Sequence, residues 1–120
     1  MTRKKTTEPS KELSPLALDL IASRFRALSE PMRLRLLNLL MRGDHTVGQL
    51  VEASGSGQAN VSKHLAVLRD AGMIGMRKEG LTTICHISDP IVRELCDMMC
   101  SRLREEMEEK AAALAFDPKI

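Results

Sequence analysis

The chain has 120 residues, of which 43% are hydrophobic and 28% charged, with a net charge of +2; this is typical of one folded domain and leaves no room for a second. Two Phe and no Trp or Tyr argue against single-strand nucleic-acid binding on exposed aromatic rings. No apolar run reaches the roughly 18 residues of a membrane span and the polar start lacks a secretory signal, so we expect a cytoplasmic protein whose three cysteines are reduced thiols.

The first half of the chain predicts a mobile arm and two scaffold helices. Residues 1–13 offer little to bury, so we expect an N-terminal arm there. Ser14-Pro15 is a helix cap with a first-turn proline, and apolar residues follow at helical spacing to Leu28. A second helix begins at Pro31 and stops before Gly43. Five of its residues are expected to be largely buried: Leu34, Leu36, Leu37, Leu39 and Leu40.

The middle of the chain predicts a helix-turn-helix. Thr46 and Gln49 match the capping box that starts a short third helix, which ends at about Ser54. The glycines of Gly55-Ser56-Gly57 permit a sharp turn. Helical periodicity resumes over residues 58–71, with three residues facing inward: Val61, Leu65 and Leu68. Two short helices joined by a tight glycine turn are the helix-turn-helix pattern.

The last third of the chain predicts a wing and a long helix. Residues 73–78 and 81–87 flank Glu79-Gly80 and indicate a β-hairpin whose tip carries Arg77 and Lys78. Asp89-Pro90 begins a final helix that extends to about residue 110, and residues 111–120 are a tail. This helix has an apolar stripe, which requires a partner surface: Val92, Cys96, Met99, Leu103 and Met107.

Three parts of the sequence resemble a known family. Residues 27–37 read ALSEPMRLRLL, residues 58–65 and 68–74 read QANVSKHL and LRDAGMI, and residues 77–80 read RKEG. In this order they resemble the ArsR/SmtB family of winged helix-turn-helix repressors, over roughly residues 16–110. The resemblance implies a mainly α-helical fold with a small β-hairpin wing, dimerised through its first and last helices. It also implies a repressor that leaves duplex operator DNA when a metal ion or reactive species acts on it.

The helix that begins at Gln58 is expected to enter the major groove, where residues near the start of such a helix reach base edges. With Val61, Leu65 and Leu68 inward, Ala59 and Lys63 face outward. The predicted base-reading residues are Gln58, Ala59, Asn60, Ser62 and Lys63, whose side chains suit adenine, thymine methyl, guanine or phosphate. The alternative is an ordinary polar helix face. Arg77 and Lys78 are predicted to contact phosphates, and His64 is expected to be packed or half-buried.

The signal that such a repressor senses is less clearly encoded. Sensors of this family commonly have a cysteine motif in the third helix, but residues 47–53 read VGQLVEA. The family's alternative zinc or cobalt site, an Asp and His set on the last helix, fails because that helix has no His. What remains is Cys96 and Cys100, four residues apart on one helix face, with Cys85 as an uncertain third ligand.

Three interpretations of these cysteines stay open. Two or three thiolates bind arsenite or another thiophilic metal ion, which would then be the inducer. Alternatively the thiols form a redox or persulfide switch. The third interpretation is that they are small hydrophobic residues within a dimer interface.

Two other classes of function compete with a DNA-binding regulator. An enzyme is disfavoured because the sequence has no phosphate-binding glycine motif, nucleophile elbow or zinc-protease pattern. A winged helix used only for protein contact would be expected to show exposed apolar or aromatic anchors on this helix. This chain has polar residues there instead: Gln58, Asn60, Ser62 and Lys63. We therefore expect a homodimer on double-stranded operator DNA, with no membrane partner.

Overall fold

The computed structural model describes residues 12–115, which form five α-helices and a small β-sheet of three strands. The elements are α1 (Pro15–Leu28), α2 (Pro31–Leu40), β1 (His45–Thr46), α3 (Val47–Ser54), α4 (Gln58–Asp70), β2 (Ile74–Glu79), β3 (Thr82–Ile87) and α5 (Ile91–Ala113). This is the expected winged helix-turn-helix. Of the predicted arm, residues 1–11 lie outside the described residues, as do residues 116–120 of the predicted tail. Helix α5 continues three residues past the expected domain end at residue 110.

The first two helices begin where their capping residues predict. The Ser14 hydroxyl accepts a hydrogen bond from the Ala17 N–H over 3.1 Å, which satisfies one of the N–H groups left free in the first turn of α1. At the start of α2, the carboxylate of Glu30 accepts from the Met32 N–H over 3.0 Å. Both helices have a proline in their first turn, where the missing N–H costs nothing.

The sheet has the antiparallel strand order β1-β3-β2. Its hairpin, β2 with β3, pairs Met76 with Cys85 and Lys78 with Thr83. The sequence analysis did not predict β1, which pairs His45 with Cys85. Two residues are too few to show the alternation that identifies a strand, and the second of them, Thr46, is also the capping residue of α3.

Helices α2, α3 and α4 pack with the sheet around a core of aliphatic residues. Within α2, Leu36, Leu37 and Leu40 are buried, but Leu34 is 42% exposed, so its predicted burial is wrong. At about 100° per residue, Leu34 lies about 110° from the centre of the inward face that the buried leucines define. Arg33 lies close to the centre of that face.

Helices α1 and α5 leave most of their apolar residues uncovered. Only Ala27 of α1 and Val92 of α5 are buried. The exposed apolar side chains of these two helices include Leu16, Leu18, Leu20, Ile21, Phe25, Ile91, Met98, Met99, Leu103 and Met107. No helix within residues 12–115 is both long enough and apolar enough to cross a membrane.

Candidate nucleic-acid interface

The turn between α3 and α4 is fixed by local hydrogen bonds. At the start of α3, the Gln49 N–H donates to the Thr46 hydroxyl over 3.0 Å and the Thr46 N–H donates to the Gln49 amide oxygen over 2.9 Å. This is the predicted capping box, and it is confirmed. Helix α3 ends at Gly55, whose φ of +74° is left-handed and disfavoured for residues with a Cβ. The turn therefore sets the angle at which α4 leaves α3.

Helix α4 has one buried face and one exposed face. Val61, Leu65 and Leu68 are fully buried, as their spacing predicts. Four of the five predicted base-reading residues are exposed: Gln58, Ala59, Ser62 and Lys63. The first turn of α4 has no acidic residue and no side-chain cap, so nothing there repels or blocks an incoming phosphate.

Asn60 differs from its neighbours on this helix. Its side chain is half-buried, and its amide nitrogen donates to the Ser56 hydroxyl over 2.8 Å. One of its two amide donors is thus committed to bracing the turn, so Asn60 is held in place by Ser56 and is less available to a base than its exposed neighbours. The contact joins residues four apart across a turn, which an outward-facing wheel position does not reveal.

The two predicted phosphate contacts of the wing lie on opposite faces of the hairpin. Strand alternation places Lys78 on the same face as Met76, which points toward the helices, and Arg77 on the other face. The prediction that both lie at the tip is wrong, because the turn is formed by Gly80 and Leu81. Lys78 remains exposed, and among residues 12–115 no ion pair involves its side chain.

Arg77 is held by two carboxylates. Its guanidinium contacts Glu79 at 2.8 Å and Asp44 at 3.2 Å. These two negative charges offset the charges of Arg77 and Lys78, so the wing supplies little net positive charge. Asp44 lies 33 residues before Arg77, and proximity in sequence could not have revealed this pair.

A cleft of about 520 Å³ separates α4 from the wing. It is lined by residues from the start of α3, from α4 and from both wing strands, among them Thr46, Gln58, Ser62, Met76, Thr82 and Thr83. The sequence analysis missed Thr82 and Thr83 as candidates for DNA contact. The alternation of β3 gave a signal for Thr83 alone, since Thr83 shares the face of buried Cys85 two residues later. Thr82 lies next to the turn of the hairpin, and alternation does not identify it.

The three cysteines occupy three different environments. Cys85 is fully buried in the core, Cys96 is half-buried against it, and Cys100 is exposed. Burial raises the pKa of the Cys85 thiol. Burial, and then the nearby Asp97 and Cys100, raise the pKa of Cys96. The Cys100 sulfur accepts a hydrogen bond from the Arg104 guanidinium over 3.6 Å.

These positions test the predicted three-thiolate site. Within residues 12–115 of one chain, no group of three or more Cys, His, Asp or Glu side chains is arranged to hold a metal ion. Cys85 therefore does not complete a site with Cys96 and Cys100 in a single chain. His86 lies on the opposite face of β3 from Cys85, with its ring over Gly75, so the neighbouring Cys-His pair is not a chelate either.

Comparisons with known proteins place the chain among transcriptional regulators. The family model described as "Bacterial regulatory protein, arsR family" matches residues 30–75. A probable mercury resistance operon repressor from Streptomyces lividans is 40% identical over 77 residues, which are 64% of this chain and 62% of the relative. Rv0081 of Mycobacterium tuberculosis, an uncharacterized HTH-type transcriptional regulator, is 34% identical over 94 residues, 78% of this chain and 82% of the relative.

Two solved structures extend the likeness to the fold. The crystal structure of Rv0081 has a TM-score of 0.74 at 33% identity, covering 82% of this chain and 99% of that chain. The homodimeric winged helix-turn-helix DNA-binding domain Mb0332 of Mycobacterium bovis, solved by NMR, also has a TM-score of 0.74, at 26% identity. It covers 83% of this chain and 95% of that chain.

Proposed function

Because the chain belongs to the arsR family of bacterial regulatory proteins, we propose that two copies bind operator DNA through α4 and release it when the cysteines of α5 meet a thiol-reactive signal. The protein is a DNA-binding transcriptional repressor by family and fold, and not an enzyme. We choose α4 as the DNA-reading helix because it has an exposed polar face opposite a face of buried aliphatic residues. The proposal also places the repressor in the cytoplasm.

On DNA, the outer face of α4 enters the major groove. Gln58, Ser62 and Lys63 contact base edges, and Ala59 is small enough to allow close approach or to touch a thymine methyl. Asn60 supports the turn instead. The cleft beside α4 receives the adjacent sugar-phosphate strand, with Lys78 as its cation and the hydroxyls of Thr82 and Thr83 as neutral donors.

The second copy covers the exposed apolar faces of α1 and α5. Exposed apolar surface on this scale marks an interaction site in a small protein. A cavity of about 230 Å³ lies between the two helices, lined by apolar side chains that include Ile21, Phe25, Leu28, Val92 and Leu95. Side chains of a second copy would fill this cavity. The exposed faces of α1 and α5 would then form one continuous dimer interface, the dimer seam.

Cys96 and Cys100 are the proposed sensing pair because they lie on α5 at a four-residue spacing that stacks side chains. Cys100 is exposed, so a reagent in solution can reach its sulfur, which accepts a hydrogen bond from the Arg104 guanidinium. A soft ion that accepts two thiolates suits the pair, whereas arsenite needs a third ligand that one chain does not supply. The exposure of Cys100 equally favours modification by a persulfide.

The test releases the protein from DNA. Operator sequences are selected from random duplexes, and the reduced protein bound to them is titrated separately with arsenite, mercury(II), zinc, cadmium, copper(I) and a persulfide. We expect release by one thiol-reactive agent, abolished in the double variant Cys96→Ser with Cys100→Ser. Cys85→Ala is the matched control and should respond at the wild-type dose. Equal release of wild type and double variant would refute the sensing role.

A further inference from the structure

Arg33 makes three hydrogen bonds that join three helices. It is the charged residue on the inward face of α2 and is half-buried. Its Nε donates to the Ala27 carbonyl over 2.7 Å, and its Nη2 donates to the Arg26 carbonyl over 3.1 Å. Its Nη1 lies 3.1 Å from Nδ1 of His64 on α4. One side chain thus links the last turn of α1 to the helix proposed to read DNA.

The bond to Ala27 satisfies a carbonyl of the last turn of α1, where a helix end leaves carbonyls without intrahelical partners. The Arg26 carbonyl also accepts from the N–H and the hydroxyl of Ser29, so Arg33 adds to a cap that is already present there. A guanidinium also suits this position because the C-terminal end of a helix carries partial negative charge. The link to α1 is therefore strong in both geometry and charge, and the free end of the guanidinium is directed at α4.

His64 is 8% exposed and lies on α4 directly after Lys63. A guanidinium has only donors, so the Nδ1 atom of His64 must accept, and the imidazole is neutral with its proton on Nε2. Burial and the nearby Arg33 lower the pKa of His64. The other charged groups that face it are Glu30 on the α2 side, which opposes this shift, and Lys63 on α4 itself, which adds to it.

A cavity of about 300 Å³ adjoins Arg33, lined by residues of α1 and α4 that include Arg26, Val67 and Asp70. The contact between α1 and α4 is thus not a filled aliphatic interface at this point. Without close packing there, the guanidinium is what fixes the distance between the end of α1 and His64.

We propose that Arg33 is a positioning residue that sets the orientation of α4 relative to α1 through neutral His64. The proposal rests on the proposed function, in which α4 reads DNA and α1 forms part of the dimer seam. Arg33 itself touches no DNA. Its effect on operator binding is exerted through the direction in which α4 presents Lys63 and its neighbours.

The first experiment tests the hydrogen bond between Arg33 and His64 in the absence of DNA. Imidazole ¹⁵N NMR of the full-length reduced protein should show His64 in the Nε2–H tautomer, with a titration midpoint below the ordinary value of 6.5. In Arg33→Met, which keeps an apolar stem but no donors, the tautomer should no longer be fixed and the midpoint should rise. Arg33→Lys should restore both in part. Arg35→Met is the matched control, because Arg35 of the same helix donates to the Ala53 carbonyl and not to His64.

The second experiment measures operator affinity against pH. Loss of this part-buried charged hydrogen bond should weaken Arg33→Met binding at pH 7.5 by about tenfold, with Arg33→Lys between it and wild type. Binding should fall at acid pH with the His64 midpoint, because a protonated Nδ1 cannot accept from Arg33. Arg33→Met has no such link to break, so this acid-dependent fall should be absent from that variant.

The outcomes separate two failures. An unchanged His64 tautomer and midpoint in Arg33→Met, or an affinity loss no greater than that of Arg35→Met, overturns the positioning role. If Arg33→Met does not fold, the proposal is tested on the two remaining proteins. A wild-type His64 that is not in the Nε2–H tautomer, or an Arg33→Lys midpoint equal to that of wild type, would then overturn it. If the NMR result holds but Lys63→Ala binds operator normally, the proposed reading face fails instead.

Discussion

Replacing Met99 and Leu103 by Asp tests the proposed dimer seam. In one protomer Met99 is 63% and Leu103 47% exposed, so about half of each side chain remains for a second copy to cover. Burying a whole Met or Leu side chain contributes about 1.5–3 kcal/mol, so half contributes about 1 kcal/mol. A two-fold interface contains each residue twice, which gives a loss of about 4 kcal/mol and a dissociation constant about a thousandfold higher.

Sedimentation velocity over a concentration series measures this constant directly. Met98→Asp is the matched control, because Met98 is 67% exposed on the same helix yet lies about 140° from the centre of the apolar stripe. Wild type and Met98→Asp should sediment as dimers at micromolar concentration, and the double variant as a monomer with unchanged helix content. A wild-type monomer, or a double variant that stays dimeric, would refute the reasoning.

Three further predictions concern DNA and pH. Gln58→Ala and Lys63→Ala should each weaken operator binding by about 1–3 kcal/mol per half-site without changing the melting temperature, and equal losses on random duplexes would contradict base reading. Lys78→Ala should reduce the slope of log affinity against log salt by about one unit per contact, whereas Arg77→Ala should change it little because two carboxylates already neutralise that guanidinium. Since the pKa of His64 is lowered in the folded state, the unfolded chain binds a proton first, and the free energy of unfolding should fall as pH drops below 6.5. Urea denaturation from pH 8 to 5 measures this fall, and a wild-type slope no steeper than that of His64→Gln would rule it out.

Local signals were sufficient to predict most of the fold. The cap at Ser14, the capping box at Thr46 and the left-handed turn at Gly55 all depend on residues within a few positions of one another. The inward face of α4 follows from the period of Val61, Leu65 and Leu68. The same period predicts the exposure of Ala59 and Lys63, although it does not reveal the half-burial of Asn60 against Ser56.

What the sequence did not predict depends on partners distant along the chain. Arg77 is neutralised by Asp44 across the fold, and strand β1 exists because β3 returns beside it. Arg33 looks like one more polar residue in a leucine-rich helix until α1 and α4 are placed around it. For Cys85, strand alternation predicted that the side chain faces inward. It could not predict that Cys85 forms no three-residue site with the cysteines of α5, because that depends on how β3 and α5 are placed in the fold.

These long-range contacts also bear on how a signal at the seam would reach DNA. Asp89, just before α5, lies 3.6 Å from Arg24 of α1, but a largely exposed ion pair contributes little rigidity. The stronger connection is α1 itself, whose last turn is fixed to α4 through Arg33. Two copies of α4 must lie about 34 Å apart to enter successive turns of the major groove. A reaction at Cys96 or Cys100 that tilts α1 and α5 of one copy against the other therefore changes this spacing, and it weakens binding while each α4 keeps its own structure.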